Sequence, residues 1–252
     1  MIPESAWGQH GAVAVITGAT GYLGRALARG FAEAGATVVL TARSEAALSR
    51  LADDLVACGA PIHTVAADLT DPAAGERIVE VALTRTGRID ALVLNAGALT
   101  DGLVAALDSD ALEQVHALNV QGAFRLLRAA LRPMILARRG TVIVVSSSAA
   151  RRPGVGQAAY ASSKAALEAL VRVAARETAG RGIRVNGVAP GLLDGGMAAR
   201  IIDEARDRAT AAIPMGRLGR AEDVVPTALF LASPMSSYVT GEIWGVDGGW
   251  TA

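Results

Sequence analysis

Short β-branched runs alternate with Ala/Leu/Arg/Glu-rich stretches about six times along this chain of 252 residues, and that rhythm limits the fold more than any other feature. The runs fall at residues 12–17, 37–41, 62–66, 91–94, 141–145, 183–188 and 242–246. They are apolar at successive positions rather than at alternate ones, so each must be covered on both faces. Stretches with helical spacing lie between them, among them residues 23–34, 45–57, 111–138 and 162–179. Strands buried on two faces and separated by helices predict an α/β fold: a doubly wound, parallel, seven-stranded sheet with helices on both sides. No Pro/Gly/Ser-rich linker and no fixed repeat interrupts the pattern, so residues 1–252 are expected to form one domain. Ligands of such sheets bind outside the carboxyl ends of the strands. The residues just after each run are therefore the ones to read for chemistry.

Bulk properties exclude several partners. Lys+Arg and Asp+Glu are equal at 24 each, which leaves no net field to attract nucleic acid or an acidic membrane surface. No apolar run approaches the ~20 residues of a spanning helix. The N-terminus shows neither the charged start nor the apolar stretch of a signal peptide, and a cytoplasmic location is expected. Cys58 is the one cysteine, so an internal disulfide or a cysteine metal cluster is ruled out; its expected role is to fill an apolar helix face. His10, His63 and His116 are scattered, with no acidic cluster spaced to join them, and no catalytic metal is expected. His116 lies one turn before Asn119 and is read as a packed helix residue.

The first run leads into VAVITGATGYLGRAL, which places Gly18, Gly21 and Gly24 after a strand and at the start of a helix. Glycines there permit a tight turn and let helix N-terminal N–H groups approach a pyrophosphate. The second run ends in Ala42 and Arg43, where an NAD site usually has a carboxylate for the ribose hydroxyls. The planar fork of arginine suits a 2′-phosphate, so NADP(H) is expected rather than NAD(H). The alternative is that Arg43 caps the next helix in solvent.

Of the 24 basic residues only one, Lys164, is lysine, and it stands four positions after one of three tyrosines, Tyr160. Positions i and i+4 of a helix share a face. A phenol is a weak acid–base catalyst at neutral pH, and a cation held close favours the phenolate. A compact ammonium also fits a narrow slot that a guanidinium does not. A lysine fallen by chance on a solvated face is the competing explanation. Upstream, Ser146, Ser147 and Ser148 follow the fifth run, where a hydroxyl can donate to a substrate carbonyl. Hydroxyl runs at strand ends also cap turns.

With these elements in order, the chain resembles the short-chain dehydrogenase/reductase family in its single-domain branch, from about residue 11 to residue 250. The likeness rests on TGATGYLG (17–24), Asp68-Leu69, NAG (95–97), Asn119, the serine before the active-site loop, YASSK (160–164), PG (190–191) and GEIWGVDGG (241–249). It implies a Rossmann fold in which Tyr160 is the proton donor or acceptor and Lys164 lowers its pKa and binds ribose. It further implies that Ser147, thirteen positions before the tyrosine, orients the carbonyl, and that Asn119 kinks its helix and holds a water in a proton relay. Cofactor contacts implied in the same way are Gly18, Thr20, Gly21, Tyr22, Leu23, Gly24, Arg43, Asp68, Leu69, Asn95, Ala96, Gly97, Pro190, Gly191 and Leu193. Two positions depart from the family pattern. Tyr22 stands where the single-domain branch has glycine, and Gly195 where the family often has a threonine that bonds the nicotinamide carboxamide. The second departure predicts a loose segment at 194–197, with backbone groups such as those of Leu193 as the remaining anchor.

Among members of the family the likeness is to β-ketoacyl-carrier-protein reductases. Arg138 and Arg181 match their carrier-docking positions, and Arg139, Arg151 and Arg152 extend the basic patch. The expected function is NADPH-dependent reduction of a carrier-bound β-ketoacyl group. The alternatives are a dehydrogenase of a free secondary alcohol, sugar or steroid, and a non-catalytic nucleotide sensor, which would need no proton relay. By the same resemblance the long helices would pair in a dimer and the C-terminal segment would complete a homotetramer.

Overall fold

The computed structural model describes residues 9–198 and 206–252. The expectation of no signal peptide rests partly on residues 1–8, which lie outside the described residues. In chain order the elements are β1 (Val13–Thr17), α1 (Tyr22–Glu33), β2 (Thr37–Ala42), α2 (Glu45–Leu55), β3 (Ile62–Ala66), α3 (Ala74–Thr86) and β4 (Ala91–Leu94). They continue through α4 (Ser109–His116), α5 (Ala123–Ala137), β5 (Gly140–Val145), α6 (Ala158–Thr178), β6 (Ile183–Pro190), α7 (Arg206–Ala211), α8 (Ala221–Ala232) and β7 (Ile243–Val246).

The strands form a seven-stranded sheet in the order β3-β2-β1-β4-β5-β6-β7, with every neighbouring pair parallel. The chain winds outward from β1 through β2 to β3, then crosses back to lay β4 on the other side of β1. Their carboxyl ends therefore diverge into a crevice between β1 and β4, the switch point of a doubly wound sheet.

Alternate strand residues point to opposite faces. Val13, Val15, Leu92, Val142 and Val144 pack with Ile78, Leu126 and Leu167 from α3, α5 and α6. Ala14, Ile16, Val93 and Ile143 pack with Leu27, Phe31, Leu48 and Val224 from α1, α2 and α8. Both faces are dry, which is why each run reads as apolar throughout rather than alternating. Cys58 closes a 3₁₀ turn after α2, half-buried against the second of these cores.

Residues 111–138 are not one regular helix. Between α4 and α5 the six residues Ala117–Gly122 open into a π-helical turn, and Asn119 is fully buried inside it. Such a bulge inserts an extra residue per turn and redirects a side chain that a regular helix would aim elsewhere. At the other end Arg138 takes a left-handed conformation (φ 50) that stops α5. The second long helix starts earlier than residue 162, at Ala158, which puts Tyr160 in its first turn and Lys164 one turn deeper.

Candidate active site

The crevice at the switch point opens into a cavity of about 740 Å³ lined by the loops after β1 to β6 and the first turns of α6. The residues expected to contact a cofactor all reach its wall, as do Ser147, Tyr160 and Lys164. Asn119 stands behind the wall, and Arg138 and Arg181 are elsewhere in the molecule.

The turn after β1 is shaped by close backbone approach. Gly18 has φ +62, and a Cβ there would lie 2.9 Å from Cα of Ala96; a Cβ on Gly24 would run into the carbonyl of Gly18. Thr17 at the end of β1 fastens this turn to the one after β4. Its hydroxyl accepts the N–H groups of Asn95 (2.9 Å) and Ala96 (3.0 Å) and donates to the carbonyl of Val93. The Asn95 side chain returns the tie by donating to the carbonyls of Thr17 (2.9 Å) and Gly18 (3.2 Å). Asn95 thus ties the turn after β1 to the loop after β4 while lining the cavity.

At the ends of β2 and β3 the wall is polar and partly unpartnered. Ser44, not Arg43, caps α2, accepting the N–H of Ala47 at 3.2 Å. Arg43 makes no hydrogen bond among the described residues, and its guanidinium borders the cavity. The hydroxyl of Thr41, also on the wall, is the one buried side-chain polar atom without a partner among the described residues. Asp68 is held ionised chiefly by N–H and O–H donation from Thr70, with Arg43 adding a smaller attraction. A glycine cradle, a guanidinium and an ionised carboxylate form a donor and acceptor set that fits the adenosine and phosphates of a dinucleotide.

The other side of the cavity is the catalytic cluster. Of the three serines after β5, Ser146 is buried and donates to Glu168 (3.1 Å), and Ser148 is buried as well. Ser147 alone is partly open, and its hydroxyl neighbours that of Tyr160. Lys164 is buried, with its ammonium donating to the carbonyl of Val145 at 2.8 Å and lying 5.7 Å from the centre of the Tyr160 ring. Burial lowers its pKa to about 8. The expected lowering of the Tyr160 pKa is not what the site shows. Burial pushes the phenol up, only partly offset by the neighbouring Ser147 hydroxyl.

Asn119 is tied to two other elements through its side chain. Its amide donates to the carbonyl of Ala98 (3.0 Å) and to Ser163 (2.9 Å), and its oxygen accepts the N–H of Ala98 (2.8 Å). The expected kink is present as the π turn, and both amide N–H groups are committed to protein, which fixes the loop after β4 to α6. His116 bridges α4 to α6 through Ser162 (2.9 Å) instead of approaching Asn119.

The segment after β6 is better anchored than the glycine at 195 suggests. Leu193 pairs with Gly219 as an isolated bridge, the N–H of Asp194 donates to Gly219 (2.7 Å), and its carboxylate pairs with Arg206 at 2.7 Å. The carbonyl of Leu193 accepts the N–H of Gly195 and is occupied.

The arginines do not form one patch. Arg138 and Arg181 sit before β5 and β6, roughly 20 Å of strand away from the cavity end, and Arg138 donates to the carbonyl of Gly180 (3.2 Å). Arg139 is paired with Asp90 at 2.6 Å. Arg151 lies at the opposite end of the sheet, donating to the carbonyl of Ile243 and flanking Glu168. Arg152 is on the cavity wall, stacked 4.2 Å over the Trp250 ring and donating to the Trp250 carbonyl. Sequence reading missed Thr17, Thr41, Gln157 and Trp250 as wall residues. Thr17 was legible, as the hydroxyl closing the first strand; Trp250 was not, because only the tertiary fold brings the C-terminus to the β5 loop.

Among the described residues no cluster of His, Cys, Asp or Glu is arranged to hold a metal, and no helix is long and apolar enough to cross a membrane. The family model described as enoyl-(acyl carrier protein) reductase matches residues 18–251. The 3-oxoacyl-[acyl-carrier-protein] reductase FabG of Thermotoga maritima is 37% identical over 240 residues, which covers 95% of this chain and 98% of that one. Two crystal structures are similar over nearly their whole length. One is a putative NAD(P)-dependent gluconate 5-dehydrogenase from Beutenbergia cavernae with bound NADP at low occupancy (TM-score 0.92, 37% identity, 97% of this chain and 98% of that one). The other is a 3-oxoacyl (acyl-carrier-protein) reductase from Agrobacterium tumefaciens with NADP bound (TM-score 0.90, 33% identity, 98% and 96%).

Proposed function

Because the chain belongs to the short-chain dehydrogenase/reductase family, we propose that this oxidoreductase reduces the β-carbonyl of a 3-oxoacyl group carried on an acyl carrier protein, using NADPH. The observation that carries this reading is the Ser147–Tyr160 pair, two neighbouring hydroxyls on a cavity whose other end is a nucleotide cradle. NADPH would supply the hydride. The turn Gly18–Gly24, Arg43, Asp68 and Lys164 would hold it, with Arg43 taking the 2′-phosphate.

The chain's own groups then act on the carbonyl oxygen. Ser147 donates a hydrogen bond to it and stabilises the charge that develops there. Tyr160 delivers the proton. Its raised pKa keeps the phenol protonated through the neutral range, the state a proton donor for reduction requires. Lys164, with a pKa of about 8, is cationic at neutral pH and offsets phenolate charge as the proton leaves.

Carrier docking through Arg138 and Arg181 needs a second copy of the chain, since within one copy they lie at the far end of the sheet from the cavity. A homotetramer or homodimer is part of this reading. Arg152 favours a second reading, because a guanidinium on the cavity wall beside Trp250 suits a small keto or hydroxy acid. Loss of NADPH absorbance decides between them. Faster turnover of a carrier-bound 3-oxoacyl thioester than of its free thioester analogue, abolished by Arg138→Glu/Arg181→Glu, supports the first. Turnover of a free keto sugar acid that is lost in Arg152→Ala, with carrier-bound substrate inert, supports the second.

A further inference from the structure

The two departures from the family pattern, Tyr22 and Gly195, lie against each other. A Cβ on Gly195 would come within 2.8 Å of Cε2 and Cζ of the Tyr22 ring, and a Cβ on Gly196 within 3.3 Å of the Tyr22 Cβ. Backbone φ is +146 at Gly195 and +78 at Gly196, conformations that side chains rarely adopt. A threonine at 195 is thus opposed twice, by the ring and by the backbone. Tyr22 is the first residue of α1, on the turn after β1, whereas the glycine pair belongs to the loop after β6. Strands β4 and β5 separate β1 from β6 in the sheet, a span of roughly 14 Å. The ring therefore links the two sides of the crevice, and all three residues line the cavity. The loop is presented firmly, because Asp194 is fixed to Gly219 and to Arg206.

We propose that Tyr22 and the Gly195–Gly196 backbone form an aromatic clasp across the cavity that retains the nicotinamide half of a bound dinucleotide. In this chain an aromatic ring on bare backbone takes over the anchoring that a side chain at 195 would provide. The contact makes no hydrogen bond to the cofactor; it acts by joining two loops and excluding water between them. The proposal rests on the dinucleotide reading above.

The test is equilibrium binding of NADPH and of adenosine 2′,5′-bisphosphate, which lacks the nicotinamide half, to wild type, Tyr22→Ala, Gly195→Ala and the double variant. Tyr22 is 37% exposed, so its truncation leaves the core intact. Tyr22→Ala is expected to weaken NADPH about tenfold and leave the bisphosphate within twofold. Gly195→Ala is expected to weaken NADPH more in wild type than in the Tyr22→Ala background, because only in wild type does the new Cβ meet the ring. If NADPH affinity is unchanged in Tyr22→Ala, or if both ligands weaken equally, the clasp is wrong while the dinucleotide reading stands. A folded wild type that binds neither ligand overturns the dinucleotide reading, and the clasp with it.

Discussion

The wall that carries Ser147, Tyr160 and Lys164 and the contact of Tyr22 with Gly195 border one cavity, yet they are held by different means. On the catalytic wall buried polar groups are fixed by hydrogen bonds to protein: Lys164 by the carbonyl of Val145, Asn119 by both backbone groups of Ala98, Ser146 by the Glu168 carboxylate. Removing one such group leaves its partner buried and unsatisfied, a loss of about 1–3 kcal/mol. In the second a half-exposed ring rests on glycine backbone, held by close approach and by the positive φ of Gly195 and Gly196. The first therefore admits few residue types, whereas in the second the residues at 22 and 195 limit each other by size.

The contrast is broken most sharply at Tyr160. Replacing it with Phe keeps the ring and removes the proton, so kcat for a 3-oxoacyl thioester is expected to fall by about 10³, within the range for a general acid. NADPH affinity is expected to change little, since the cradle of Gly18, Gly24 and Arg43 is untouched. Equal rates of NADPH absorbance loss in wild type and Tyr160→Phe would take the chemistry away from this wall. The next largest effect is on stability. Gly24→Ala drives a methyl into the carbonyl of Gly18, which is backbone and cannot yield. A loss of about 3 kcal/mol is expected in urea unfolding, the upper range for overpacking. Wild-type stability in that variant would show that the turn after β1 is looser than its geometry implies.

A third variant probes the nucleotide end. Arg43→Ala is expected to weaken NADPH by about 30-fold and NADH by less than threefold, read as Kd for each. The basis is the loss of one charge-assisted contact to the 2′-phosphate, worth about 2 kcal/mol. Parallel losses for both nucleotides would give Arg43 a role in the fold of the loop instead.

How much of this was legible follows the same division. The doubly wound sheet was readable because residues such as Val13 and Ala14 go to opposite cores, and each run had to be apolar throughout. Tyr160 and Lys164 were readable from a spacing that one helical turn dictates. The kink at Asn119 was legible only through the family resemblance, since residues 111–138 keep apolar spacing through the π turn. The raised pKa of Tyr160 was also hidden, because charge proximity can be guessed from spacing while burial depends on the assembled cavity. The contact of Tyr22 with Gly195 joins residues on opposite sides of the crevice, and neither one alone implies the other.

The smallest effect separates the walls by pH. The pKa of Lys164 is lowered from 10.5 to about 8, so its cation is present below that value and lost above it. With Tyr160 protonated throughout, kcat/KM for reduction is expected to drop about tenfold from pH 7 to pH 9, as one titrating group empties. The unfolded chain keeps the lysine proton up to 10.5, so between about 8 and 10.5 it binds more protons than the folded one. In that window Lys164 makes stability rise with pH while activity falls, and the rise should be missing in Lys164→Met. Lys164→Arg, cationic at every pH used, should lose the decline along with most of the rate. Tyr22→Ala belongs to the wall without this lysine and should alter KM for NADPH while leaving the midpoint of the profile in place. A midpoint that moves in Tyr22→Ala, or a wild-type profile flat to pH 9, would mean that the two walls are not separable as drawn.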